Sequence, residues 1–247
     1  MIVRDTRLYR LAEVFFDEEP DGADADVIEY FQRSAPVPGA RYREFHTTHI
    51  DLTQDMQALF ADVSKTCRYE VRRGERDELK EEAWMSARGE PVDDFIAFFD
   101  RFAAGKGLPP APAERLCTLA EAGLLDLSTV SHDDDALVWH ACLRAGNRAR
   151  LLHSASLFRE HTDTATRNLI GRANRYLHWH DLLRYKEACI PLFDFGGWYS
   201  GRDDEDLLRI NAFKEGFGGR VVPEFHCAVP ASVRGWMVLL ARRLRNR

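Results

Sequence analysis

Two periods in the apolar and polar positions divide the chain into strands and helices. Residues 7–16 (RLYRLAEVFF) read as a first strand, 17–26 as an acidic surface loop, and 27–32 as a short strand in preference to a helix. Residues 36–39 (PVPG) form a turn, and 43–52, alternating and rich in Thr, His and Ile, form another strand. Thr53 is a suitable N-cap, with Asp55 in the first turn, for a helix running to about Arg76 that carries Met56, Leu59, Phe60, Val63 and Cys67 on one face. Residues 82–87 read as a brief strand. An amphipathic helix over 92–104 and a second over 113–122 flank a Gly/Pro-rich linker at 105–112 and form an inserted helical pair. Its aromatics Phe95, Phe98, Phe99 and Phe102 are expected in the core rather than on a substrate.

The second half is patterned more sharply. A strand over 124–130 and a turn at 132–135 precede a hairpin, 136–144 and 148–156, joined at Ala145-Gly146-Asn147. A long helix over about 166–188 places Leu169, Ala173, Tyr176, Leu177 and His180 on one stripe, which makes His180 the buried histidine and His178 the solvent-facing one. A short strand, 190–195, stops at Gly196-Gly197. A helix follows over 204–215, closed by Gly216, Gly218 and Gly219, and a last core strand spans 220–228. Residues 231–247 make a basic amphipathic helix, with Val233, Trp236, Met237, Leu240 and Leu244 against Arg234, Arg242, Arg243, Arg245 and Arg247. Such a helix suits docking on the domain or lying on an anionic membrane surface.

Composition narrows the class. A chain of 247 residues, 45% hydrophobic and 30% charged, is long enough to bury a core without covalent staples. Five scattered cysteines, an odd number with no CxxC pair, suggest reduced thiols and a cytoplasmic protein. No signal-like segment and no apolar run of membrane-spanning length is present. The net charge of −6 disfavours general nucleic-acid binding, DNA included, but the charge is uneven. Asp17, Glu18, Glu19, Asp21, Asp24 and Asp26 crowd one loop, whereas the last 17 residues hold five arginines and no acid.

Several groups offer chemistry. Arg68, Arg72 and Arg76 recur every four residues, with Arg73 beside them, either as a solvated helix face or as an anion site. His46 and His49 fall on opposite strand faces, and the Asp-rich turn at 133–135 lacks calcium-loop spacing, so no metal is assigned. Lys214 stands in the last turn of a helix, where a lysine complements the dipole but also suits an oxyanion. Asp194, Asp181 and Glu224 are the acid/base candidates, Asp194 first.

The run Asp194-Phe195-Gly196-Gly197, then Phe213-Lys214 and Phe217-Gly218-Gly219, resembles the FemAB-like peptidoglycan-bridge acyltransferases and the CelD-type proteins of cellulose biosynthesis. Both belong to the GNAT (acyl-CoA N-acyltransferase) superfamily. The resemblance is strongest over about 137–229, and the arginine-containing segment SKTCRYEVRRGERD, within 47–76, extends it. It implies an α+β, GNAT-like fold: a mixed twisted sheet flanked by helices in one domain over 1–230, with the helical pair inserted at about 92–122 and the basic helix appended at 231–247.

The same resemblance implies the site. Donor and acceptor would meet between the parallel strands 148–156 and 190–195, with the backbone of Ser154, Ala155 and Ser156 holding the donor. The superfamily's pyrophosphate loop finds its nearest fit at 168–173. There Gly171 and Ala173 match and Asn168 does not, and Arg167 and Arg172 stand beside a helix N-terminus. Lys214 matches the lysine implicated in donor-carbonyl binding, Asp194 and His180 are the acid/base partners, Tyr199 would protonate the leaving thiolate as GNAT tyrosines do, and Arg68, Arg72, Arg73, Tyr176, Gly196 and Gly197 would bind substrate. The implied activity is transfer of an acyl or aminoacyl group to an amine of an envelope precursor, with acyl-CoA preferred to aminoacyl-tRNA as co-substrate. The Fem-type ligases carry two such domains and a helical arm, for which this chain is too short. The competing reading is a non-catalytic module that binds an envelope glycan, a lipid carrier or a protein.

Overall fold

The computed structural model describes every residue except Asp21, Asn246 and Arg247, so those members of the acidic loop and the basic helix lie outside the described residues. The described chain forms two compact units, 1–47 with 221–247, and 48–220.

In the larger unit, five strands lie in the order β9-β8-β7-β6-β5. They are β5 (Lys80–Trp84), β6 (Leu125–His132), β7 (Asp135–Ala145), β8 (Arg148–Ser156) and β9 (Leu192–Gly197). Pairing is antiparallel from β5 to β8 and parallel between β8 and β9. The sheet is therefore mixed, as expected. The expected hairpin is present, with Ala145 opposite Arg148, but a bulge between Ala141 and Cys142 shifts the register so that His140 faces Ser154.

Helices cover both faces. The inserted pair α3 (Glu90–Lys106) and α4 (Ala113–Glu121) packs on β6, and α3 also reaches β7 and β8. Phe95, Phe98 and Phe99 are buried and meet Trp139 and His153, so they are core residues. The long α5 (Thr164–Glu187), capped by Asp163 accepting from the Thr166 amide at 2.7 Å, lies against β6, β7 and β8. It meets His140, the neighbour of Trp139, and adjacent strand residues point to opposite faces, so α3 and α5 sandwich the sheet.

The expected helix 53–76 is two helices, α1 (Met56–Asp62) and α2 (Lys65–Gly74). Asp55, rather than Thr53, caps the first, and Ser64 caps the second by accepting from the Cys67 amide at 3.2 Å. Val63, buried and extended at the break, turns the chain. Arg68 Nη1 donates to the carbonyls of Phe60, Ala61 and Val63 at 3.2, 2.8 and 2.7 Å and so satisfies the end of α1. Arg72 lies over the Phe60 ring at 5.2 Å. Helix α6 (Glu205–Glu215), capped by Asp204, follows β9.

In the smaller unit, β1 (Ile2–Asp5) pairs antiparallel with β2 (Arg10–Phe15), β2 parallel with β3 (Val27–Arg33), and β3 antiparallel with β10 (Arg220–Pro230). The expected strand 7–16 begins at Arg10 because Thr6 turns the chain, its hydroxyl donating to the Tyr9 carbonyl at 2.6 Å. Strand β4 (Arg41–Asp51) carries the chain from one unit to the other, and α7 (Val233–Arg245) packs on β3.

Candidate functional site

The parallel pairing of β8 and β9 covers three residue pairs, Arg148 with Leu192, Ala149 with Phe193, and Arg150 with Asp194. It ends there. Strand β8 runs on to Ser156 paired with β7, leaving the outer edge of Ser154, Ala155 and Ser156 without β9. At the parting point Gly196 has φ 78°, and a Cβ there would lie 3.0 Å from the Leu151 carbonyl oxygen, so the close approach needs glycine.

Asp194 holds this corner together. It is fully buried, meets Arg148 at 2.5 Å and Arg150 at 3.5 Å, and accepts from the Gly196 amide at 2.8 Å. Two guanidinium groups thus stand against one oxygen of this buried carboxylate, and a backbone amide donates to the other.

Helix α6 buries two polar residues, Asn211 and Lys214, and leaves Leu207, Leu208 and Ile210 exposed. Asn211 clasps the loop after β9, accepting from the Tyr199 amide at 3.1 Å and donating to the Tyr199 carbonyl at 2.7 Å. Lys214 Nζ donates to the Gly197 carbonyl. Burial pushes its ammonium down to about 8; Asp194 opposes the shift and Arg150 adds to it. The corner thus brings Lys214, Asp194, Gly196 and Gly197 together, as the motif implies. Tyr199 instead donates to Asp203, whose hydrogen bond raises the phenol's pKa.

The two histidines of α5 exchange their expected places. His178 is buried: it stacks on His140 at 4.0 Å between ring centroids and touches Phe195, Phe213 and Phe217. Burial holds its imidazole neutral, and repulsion from His140, Lys214 and Arg175 acts in the same direction. His180 is partly exposed, stacks on Tyr176 and pairs with Glu81 of β5 at 2.8 Å. Strand β5 is the sheet edge opposite β9, so His180 stands apart from Lys214. The cause is that α5 packs on α2 as well as on the sheet, which widens its buried arc beyond one stripe. Tyr176 lies on that α2 side, against Gly74.

A polar network joins two of the expected residues, Asp181 and Ser154, to others that pattern reading missed. His140 Nδ1 is 2.7 Å from Asp181 Oδ2, and Nε2 is 3.1 Å from Asn174 Oδ1. Ser128 and Arg184 donate to Asp181 at 2.8 and 2.6 Å, and Ser154 donates to Asn174 at 3.4 Å. His140, His178 and Asp181 are close enough for one ion, but both His140 nitrogens are engaged within the protein, which fits a hydrogen-bonded network better than an ion cage. Glu224 lies in the smaller unit, accepting from Gln32 at 2.9 Å.

A separate cleft of about 350 Å³ between α2 and the first turns of α5 contains Arg73, Arg167, Gly171, Arg172 and Arg175, with Glu70 as its acid. The fitted run 168–173 lies inside α5 rather than in a loop before it, since the helix starts at Thr164. Gly171 is not a packing glycine, because a Cβ there would meet nothing within 4 Å. Arg172 donates to Asp77 at 2.5 Å, and Arg175 lies over Phe213 at 5.0 Å.

No family model and no curated protein matches the sequence. Solved structures do match. The crystal structure of FemX superposes with a TM-score of 0.63 at 13% identity, over 82% of this chain and 72% of that one. The fold is that of FemX. The C-terminal domain (DUF2156) of a putative lysylphosphatidylglycerol synthetase from Agrobacterium fabrum matches with a TM-score of 0.55 at 15% identity, over 88% and 72% of the two chains. L-PGS from Bacillus licheniformis matches with a TM-score of 0.53 at 11% identity, over 87% and 72%. The FemAB-like architecture implied by the motifs is thus the architecture observed, and the FemX likeness extends beyond the motif blocks to most of the chain.

Proposed function

We propose that this chain is an acyltransferase that moves an acyl or aminoacyl group onto an amine of a cell-envelope precursor, such as an amino sugar or a peptide stem. The observation that carries the reading is the parting of β8 from β9 at Asp194 with the buried Lys214 beside it. The acceptor nitrogen forms a bond to the donor carbonyl carbon, and the bond from that carbon to sulfur, or to the ester oxygen of an aminoacyl-tRNA, breaks. The leaving atom takes up a proton as the acceptor amine loses one. Between these events the carbonyl oxygen carries negative charge, and the Lys214 ammonium is the cation placed to stabilise it. The free edge of Ser154 to Ser156 would align the donor. His178, neutral and next to the aromatic cluster, replaces His180 as the histidine nearest this chemistry.

The FemX fold and the lysylphosphatidylglycerol synthetase named among the neighbours support transfer of this general kind. Acyl-CoA is the preferred donor, because the arginine cleft of α2 and α5 suits phosphate oxygens and its volume lies in the range of small-molecule sites. Aminoacyl-tRNA is the second. The reading requires no metal, and it places the protein in the cytoplasm, peripheral to the inner face of the membrane.

Thermal unfolding with acyl-CoA, CoA, aminoacyl-tRNA and nucleotide-linked amino sugars tests donor choice. A donor at a hundred times its Kd adds about 2.7 kcal/mol, or roughly 5 °C or more in Tm for a chain of this size. We expect that shift with CoA, and Arg175→Gln should reduce it. A shift with tRNA alone would reassign the donor, and no shift with any donor would count against transfer.

A further inference from the structure

We propose that α7 is an interfacial helix that seats the protein on an anionic phospholipid bilayer. An amphipathic helix normally turns its apolar stripe inward. Helix α7 does the reverse. Val233, Trp236, Met237, Leu240 and Leu244 are 78%, 58%, 56%, 40% and 64% exposed. At about 100° per residue they share an arc of about 100°. Gly235 and Arg242 fall on the opposite side, and these two hold the helix to its unit. Gly235 is buried so tightly that a Cβ would lie 1.8 Å from the Asp26 carbonyl oxygen. Arg242 donates to Glu29 at 2.6 Å and to the Tyr9 hydroxyl. At the helix start, Ser232 Oγ donates to Asp26 Oδ1 at 2.5 Å and accepts from the Gly235 amide at 3.1 Å. The rotation of the helix is therefore set by polar and steric contacts, and it leaves the apolar face outward.

Charge identifies the occupant. Arg234, Arg243 and Arg245 flank the stripe, and α7 contains no acid. The open groove beside it, about 1050 Å³, adds Arg41, Tyr42 and Arg43 from β4. Arginines beside a Trp-bearing apolar stripe match an anionic headgroup layer over acyl chains. A two-fold contact with a second copy would bring this basic helix against its own like charges. The described acids of the loop in the same unit already have partners: Asp17 with Ser34, Glu18 with the N-terminus, Glu19 with Arg33, Asp24 with Arg10, and Asp26 with Ser232. With 13 residues, α7 is about 20 Å long and lies along the surface rather than across it. Among the described residues no helix is long and apolar enough to cross a membrane.

The inference does not rest on the transfer reading, and its test uses neither donor nor acceptor. The full chain is floated with vesicles of phosphatidylcholine alone or with one third phosphatidylglycerol. We expect binding to the anionic vesicles only, a blue shift of Trp236 emission, and loss of binding at high salt. Trp236→Glu and Leu240→Glu should each weaken binding about tenfold or more, and Arg243→Glu with Arg245→Glu should reduce it to the neutral-vesicle level. Circular dichroism confirms that each variant is folded. Equal binding to neutral vesicles, no binding, or full binding by Trp236→Glu would overturn the proposal. So would a concentration-dependent dimer in sedimentation that Trp236→Glu abolishes, since a second copy would then own the stripe.

Discussion

Replacing Lys214 with methionine is expected to slow transfer by about a hundred- to a thousandfold, the usual effect of removing one oxyanion donor, without lowering Tm. Burial brings the ammonium of Lys214 down to about 8 from its ordinary 10.5. A lysine with a lowered folded pKa is charged in both states below pH 8, so the folded state bears the full desolvation cost there. The cost is relieved as pH rises from about 8 toward the unfolded value. Methionine removes that cost, worth at most about 3 kcal/mol, and loses the bond to the Gly197 carbonyl, worth about 1 kcal/mol. The wild-type chain should therefore gain stability between pH 8 and pH 10 while the variant gains less, a difference that calorimetry at the two pH values reads directly. The wild-type rate should fall as pH rises through about 8, because the oxyanion needs the ammonium. A rate that climbs through that pH would assign Lys214 to base catalysis instead.

Asp194→Ala is expected to destabilise the fold by about 3–5 kcal/mol, the usual cost of removing one member of a buried ion pair. Arg148, only 5% exposed at its side chain, would lose its 2.5 Å partner, and the Gly196 amide would lose its acceptor. Urea unfolding measures the loss. Replacing the pair together, as Arg148→Met with Asp194→Leu, should recover a large part of it, since apolar residues of similar volume remove both charges. If the double variant is no more stable than Asp194→Ala, the corner is not held by this pair.

Strand and helix periods, turn residues and the glycine corner were readable because each is local. The hairpin over 136–156, the inserted helices and the β9–α6 corner stand where the pattern puts them. What was not readable depends on packing between elements. One extra residue at the Ala141/Cys142 bulge changes which residue opposes His140. A slip of one reverses the facing side, so the row Ser128, His140 and Ser154 across β6, β7 and β8 is visible only once the bulge is known. The exchange of His178 and His180 has a similar origin, since a single stripe cannot anticipate a helix packed on two partners. The break between α1 and α2 has a local signal in Ser64, a residue type that favours caps over helix interiors. Arg68 then reaches the carbonyls of α1, which a regular spacing of arginines does not reveal. Lys214 and the arginines could be named from helix position, spacing and the family resemblance, but that Lys214 meets Gly197, and that Arg73 of α2 shares one cleft with Arg167 and Arg172 of α5, depends on packing between distant segments.

The central claim is that the parted β8 and β9 strands with Lys214 form a transfer centre. The most direct measurement incubates the purified chain with isotope-labelled acyl-CoA or aminoacyl-tRNA and a panel of amino sugars and peptide stems, and reads acceptor mass. The account predicts one amide-linked product carrying the label, formed by the wild-type chain and depleted about a hundredfold with Lys214→Met. Label on no acceptor with either donor, or equal product from both proteins, would contradict it.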